Sequence, residues 1–208
     1  MPPTSVSSRC FGALVAVVVT AVCGGCTRDR VAALFRLESY RNVSTSMEPT
    51  IRAGTSIAAI RFADLASVLR DVHRGDVVVH QMPTDTAKRM VKRVIGMPGD
   101  TIGMRGGVVF VNAVALAEPY TQHTPEWVDQ VLPDFTWQLP YLLHDIDRAH
   151  RPTQNAWGPL VMPMGAYLLL GDNRDNSMDS RYFGLVDARL INARIPPELL
   201  DAARHATP

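Results

Sequence analysis

The chain has 208 residues, 47% of them hydrophobic and 20% charged, with a formal net charge of +1. That length and balance exclude a wholly disordered chain and suffice for one domain with a real core and a smaller appendage. The near-neutral charge, with no run of lysines and arginines, marks neither a nucleic-acid surface nor a polybasic membrane patch. All three cysteines, Cys10, Cys23 and Cys26, lie in the first 26 residues, so the rest folds without disulfides, a thiol nucleophile or a Cys-rich zinc site. The six histidines form no H-E-x-x-H pair, and neither a metal nor a cofactor is expected.

The first predicted element is the uncharged segment from Cys10 to Thr27, centred on "ALVAVVVTAV". As a helix it would reach about 27 Å, close to the roughly 30 Å of a bilayer core, and a single membrane anchor is the preferred reading. A cleaved secretory signal fits the short apolar core and lone Arg9 as well. The "CGGC" at its end leaves a lipoprotein-type processing site as a third possibility. Arg28 and Arg30 after the segment mildly favour a cytoplasmic body by the positive-inside rule.

Next, "VAALFRLESYRN" (31–42) is expected to be a short helix or connector. Beyond it, "GTSIAAI", "RGDVVVHQM" and "RMVKRVIGM" are β-branched runs introduced by turn residues, the pattern of strands. "LASVLRDV" (65–72) has the best helical period. After the turn "PGD" (98–100), "TIGM" continues the strands and "GGVVFVNAVAL" is a hairpin, whose Asn112-Ala113 is expected to be loose or shifted because alanine resists the positive φ of a tight I′ turn. "GAYLLLGDN" is another strand ending in a polar turn. Residues 117–160 break this rhythm with six prolines and all three tryptophans, a density that forbids long ladders but permits a compact, aromatic-clamped insertion.

Three polar stretches carry chemistry. "STSMEPTI" (44–51) presents Ser46 without the G-x-S-x-G elbow of α/β-hydrolases. "MVKRVIGMPGD" (90–100) sets Lys92 in an apolar run, where burial lowers a lysine's pKa and lets it accept a serine's proton. "GDNRDNSMDSRYFG" (171–184) is a dense polar turn in which Arg174 breaks the acidic spacing of a calcium loop.

In this order and spacing these stretches, with "RGDVVVH", resemble the sequence boxes of type I signal peptidases, membrane-bound Ser-Lys endopeptidases that remove signal peptides from exported proteins. The resemblance covers roughly residues 40–194 and leaves the Pro/Trp insertion unmatched. It implies Ser46 as nucleophile and Lys92 as general base, then general acid. Ser177 matches the serine that orients the lysine, and Ser44 the one whose hydroxyl joins the Ser46 N–H in an oxyanion hole. Asp179 and Arg181 match a pair that buttresses the loop, while Gly171, Asp172 and Asn173 shape its turn. Met47, Met90 and Val91 are expected near an extended substrate groove along a strand, Met47 facing lipid or lining a pocket.

The fold implied is mainly β, an antiparallel catalytic core like that of signal peptidases and self-cleaving repressors, with a small Pro/Trp-rich subdomain and one N-terminal transmembrane helix. The expected organisation is a tail over 1–9, the anchor or signal segment over 10–27, a connector over 28–42, the core over 43–116 and 161–196, the insertion over 117–160 and a tail over 197–208. The implied partners are preprotein signal peptides and the lipid bilayer. The implied location is the cytoplasmic (inner) membrane, single-pass with the catalytic body outside, which is preferred to the weak charge signal. Thr45 stands where a glycine is common in similar proteins. A specialised peptidase of the same dyad maturing a pilin-like or secretion-system substrate, and a catalytically silent membrane-tethered β module, remain as alternatives. The repressors start with a helix-turn-helix domain where this chain has its apolar segment.

Overall fold

The alternating and β-branched runs form strands because one face of each can be buried against another layer. In chain order they are β1 (Leu37–Arg41), β2 (Ser56–Arg61), β3 (Val77–Met82), β4 (Asp85–Gly96), β5 (Thr101–Arg105), β6 (Val108–Val111), β7 (Val114–Ala115), β8 (Trp157–Val161), β9 (Ala166–Leu170), β10 (Val186–Asp187) and β11 (Ile191–Ile195). Among the described residues three α-helices accompany them: α1 (Leu65–Asp71), α2 (Ser180–Phe183) and α3 (Pro197–His205). This computed structural model describes residues 36–124, 128–143 and 151–205. The anchor expected over 10–27 lies outside the described residues, among which no helix is long and apolar enough to cross a membrane.

A seven-stranded sheet has the order β1-β2-β11-β3-β4-β9-β10, and a four-stranded one the order β7-β6-β5-β8. Val77, Val79, Ile57, Ala193 and Ile195 gather on one face of the large sheet with Met47 and Ile51. Val78, Val94 and Leu169 gather in a second cluster with Val68 and Val72 from α1 and its end. Ile95, Leu168 and Leu170 meet the small sheet's Ile102, Met104, Val109 and Leu160 in a third. Each such side chain contributes roughly 1.5–3 kcal/mol when fully buried. α1 starts where expected because Asp64 and Ser67 form a reciprocal capping box.

Four segments differ from the sequence expectation. Residues 37–41, read as helix or connector, are strand β1: Glu38 and Tyr40 share one face, the Tyr40 hydroxyl bonding the Glu38 carboxylate, which also pairs with Arg61 at 3.1 Å. Residues 197–205, expected as tail, form α3, which seats Leu200 and Ala203 in the first cluster. β11 was not anticipated, although it lies between β2 and β3. The Asn112-Ala113 hairpin is tight rather than loose, with φ of 50° and 66° and Val111 opposite Val114. Asn112 holds it: its backbone N–H donates to Thr101 O at 2.7 Å and its Oδ1 accepts from Thr101 N at 2.8 Å.

The Pro/Trp-rich stretch supplies β8 to the small sheet. Trp157 is buried in the third cluster and Trp137 packs against it, so these aromatics act as core. Trp127 and Pro125 lie outside the described residues.

Candidate active site

Ser46 sits in a single 3-10 turn, Thr45–Met47, capped by Ser44. Lys92 lies in the middle of β4, where the strand passes into the core, and is 2% exposed. Its Nζ donates to Ser46 Oγ at 2.8 Å and to Val91 O at 2.9 Å. Burial is the main cause that lowers the Lys92 pKa to about 8, and the Arg181 charge adds to it, against the pull of Asp179 and Asp172. A serine hydroxyl beside an amine that deprotonates near neutrality is a nucleophile and base in contact.

Asp179 and Arg181 form a buried pair through Oδ2 and Nη2 at 2.8 Å and Oδ1 and Nε at 2.8 Å. Asp179 also accepts from the Gly171 N–H at 3.0 Å. Burial opposes its ionisation, yet Arg181, the Gly171 N–H and the nearby Ser177 hydroxyl hold its pKa below the usual carboxylate range. Arg181 in turn donates to Arg174 O at 2.6 Å, so the pair ties both ends of the polar turn together. Asn173 reaches across to the serine turn, its N–H donating to Ser46 O at 3.1 Å and its Nδ2 to Thr45 O at 3.3 Å. The Thr45 hydroxyl accepts from Asn176 Nδ2 at 3.0 Å, a tether that a glycine there would lack.

Gly171 is required by close approach. A Cβ on it would lie 2.2 Å from Ser177 Oγ and 2.5 Å from Ser46 O. Ser177 therefore rests on Gly171, buried, and its Oγ has no hydrogen-bond partner among the described residues. No bond from Lys92 to Ser177 is present among them. The Ser46 N–H donates to Ser44 Oγ at 3.1 Å.

Of the groove residues, Met47 departs from expectation: it is fully buried in the first core cluster, facing neither lipid nor a pocket, because the 3-10 turn directs it under the sheet. Met90 and Val91 are half-buried. β4 pairs with β9 only from Arg93 onward, so Met90 and Val91 have β3 on one side and no strand on the other among the described residues.

Several polar residues at the site escaped the sequence reading. Arg93, beside Lys92, grips Asp172 through Nε at 2.8 Å and Nη2 at 2.6 Å and donates to Gly75 O at 2.7 Å. Thr50 donates to the same Asp172 at 2.5 Å. Arg174, read from the sequence only as breaking a calcium loop's spacing, is paired with Glu118 at 3.0 Å. His80 is fully buried, and burial first, with the charge of Lys92, pushes its pKa down to about 4, so it is neutral. The available signal was two successive cations inside an apolar strand, which places charge on both faces and demands buried partners for each. Among the described residues no group of three or more His, Cys, Asp or Glu side chains is gathered as a metal site requires.

A family model described as "Signal peptidase, peptidase S26" matches residues 9–196. The chain belongs to this family. Signal peptidase I of Pseudomonas aeruginosa is 31% identical over 179 residues, 80% of this chain and 60% of that one. The probable signal peptidase I-2 of Synechocystis sp. is 33% identical over 157 residues, 73% of this chain and 57% of that one. Signal peptidase I V of Bacillus subtilis is 32% identical over 154 residues, 73% and 79% of the two chains. This S26 chain thus spans a little under two thirds of the length of the first two. A solved signal peptidase I from Enterococcus faecalis aligns with 61% of this chain and 97% of that one at 27% identity, with a TM-score of 0.42, too partial a likeness to add to the fold.

Proposed function

We propose that the chain is a serine endopeptidase that cleaves signal peptides from exported preproteins after small residues. The observation that carries this is the buried contact of Lys92 Nζ with Ser46 Oγ at 2.8 Å, in a chain of the S26 family. With its pKa lowered to about 8, Lys92 is deprotonated in a usable fraction near neutral pH. It takes the Ser46 proton as Oγ attacks the scissile carbonyl, then returns that proton to the leaving amine.

The tetrahedral oxyanion is held by the Ser46 N–H and the Ser44 hydroxyl. That requires Ser44, which is exposed, to turn from accepting the Ser46 N–H so that both donors aim at one point. Ser177 receives an N–H of the protonated lysine; its hydroxyl, buried against Gly171 beside the dyad serine's carbonyl, supports this role. Asp179, Arg181, Gly171, Asp172 and Asn173 hold the turn rigid behind the dyad. An extended substrate adds along the unpartnered side of β4 at Met90 and Val91.

The segment over 10–27 anchors the chain once in the cytoplasmic membrane, with the catalytic body on the outer side where exported preproteins emerge. The support is its length and apolar character. The test is cleavage, in detergent, of a preprotein with alanines one and three residues before the cut. Wild type cuts after the second alanine while Ser46→Ala and Lys92→Ala are inert; cleavage by either variant at the wild-type rate would sink the dyad.

A further inference from the structure

Residues 118–124 open the Pro/Trp-rich stretch, yet they lie against the polar turn of the dyad. Gln122 N–H donates to Asp172 O at 2.8 Å, and Arg174 N–H donates to Gln122 O at 3.0 Å. Thr124 N–H donates to the Asp175 carboxylate at 2.6 Å. Between these backbone ties, the ring of Tyr120 lies under Arg93, with the guanidinium carbon 3.9 Å from the ring centroid. Its hydroxyl donates to Glu118 Oε1 at 3.1 Å, and that carboxylate neutralises the buried Arg174. The ring therefore cannot slide from Arg93 without breaking a second buried arrangement.

The contact matters because of what Arg93 does. It neutralises Asp172, whose charge, like that of Asp179, favours the protonated Lys92 amine, while Arg181 opposes it. His80, on the neighbouring strand β3, is neutral and adds no charge. A cation over an aromatic face is held most strongly when desolvated, and here the Arg93 side chain is 8% exposed. If the ring loosens its hold, Arg93 covers Asp172 less completely and the carboxylate attracts the lysine proton more. We propose that Tyr120 is a positioning residue for the dyad: through the face of its ring it fixes Arg93 on Asp172 and so limits the hold of that carboxylate on the Lys92 proton. This reading rests on Lys92 being the base.

The test is the pH profile of kcat/KM for preprotein cleavage by the full chain in detergent. Tyr120 is replaced by phenylalanine and by fluorinated phenylalanines of rising fluorine count, which preserve shape while draining charge from the ring face. Tyr120→Phe is expected to keep the wild-type acid limb. The fluorinated series moves it stepwise to higher pH, by roughly half a unit for the most fluorinated ring, about a threefold loss of rate at pH 7 with KM unchanged. Tyr120→Leu shifts the limb at least as far. An acid limb that stays fixed across the series, or moves equally for Tyr120→Phe, overturns the role of the ring face. Lys92→Ala is measured alongside: if it cleaves like wild type, the base assignment itself fails, whereas an inert Lys92→Ala with a flat series overturns only Tyr120.

Discussion

Burying Lys92 costs stability, and the structure sets both the amount and the pH at which the cost is felt. Its pKa falls from an ordinary 10.5 to about 8. At about 1.4 kcal/mol per pKa unit, the fold carries roughly 3 kcal/mol of unfavourable ionisation at pH 7. Between pH 8 and 10.5 the unfolded chain binds a proton that the native one has lost, so native stability rises with pH across that window. Below 8 both states are protonated and the penalty is constant. Lys92→Met, an apolar replacement of similar length, removes this dependence. It also forfeits the bonds to Ser46 Oγ and Val91 O, but that loss does not follow the same titration. Urea unfolding of wild type and variant in detergent, followed by tryptophan fluorescence at pH 7.0 and 9.5, isolates the effect. The wild type should gain about 2 kcal/mol on the variant between the two pH values. A difference that stays constant would refute the claim that Lys92 is held with a depressed pKa.

Gly171→Ala drives a Cβ into Ser177 Oγ and Ser46 O; we expect about 1–3 kcal/mol of destabilisation and on the order of a hundredfold loss of kcat. Removing the Ser177 hydroxyl as well should not restore the rate, since the Ser46 carbonyl remains in the way. Asp172→Asn leaves the Arg93 guanidinium buried without its counter-charge, and the unfolding midpoint in urea should report a loss of about 3–5 kcal/mol. Ala113→Gly relieves a left-handed alanine at φ 66° and should stabilise by about 1 kcal/mol, raising Tm by about 2–4 °C with cleavage unchanged; an unchanged or lower Tm would show that the turn carries no such strain.

Much of the fold was legible because local pattern and burial agree. "VVV" in β3, "LLL" in β9 and the helical period of α1 meet cores that those patterns anticipate. β1 and β11 were obscure because each is five residues long with a polar residue at its second position, and pairing decides their state: β1 with the next strand β2, β11 with β2 and β3, more than a hundred positions earlier. The hairpin shows tertiary contact overriding propensity, since the Asn112 side chain, bonded to Thr101, holds Ala113 where its own preference would not. Met47 was misplaced because an apolar residue beside a nucleophile reads equally as pocket wall or core.

Lys92 and Arg93 show where sequence reasoning about a site stops. Both are long cations in one apolar run, and the pattern alone makes them interchangeable surface features or a buried pair. Strand alternation sends them to opposite faces, and the two faces differ in one respect that decides their chemistry. Arg93 meets a carboxylate counter-ion, Asp172, at 2.6 Å. Lys92 meets a hydroxyl and a carbonyl, neither of which can neutralise it, while the carboxylate of Asp179 is already committed to Arg181. A buried ammonium without its own counter-ion is the condition that makes a lysine a base. What turns this strand into a candidate catalytic element is therefore the allocation of two carboxylates between two arginines, set by residues some eighty positions away in sequence.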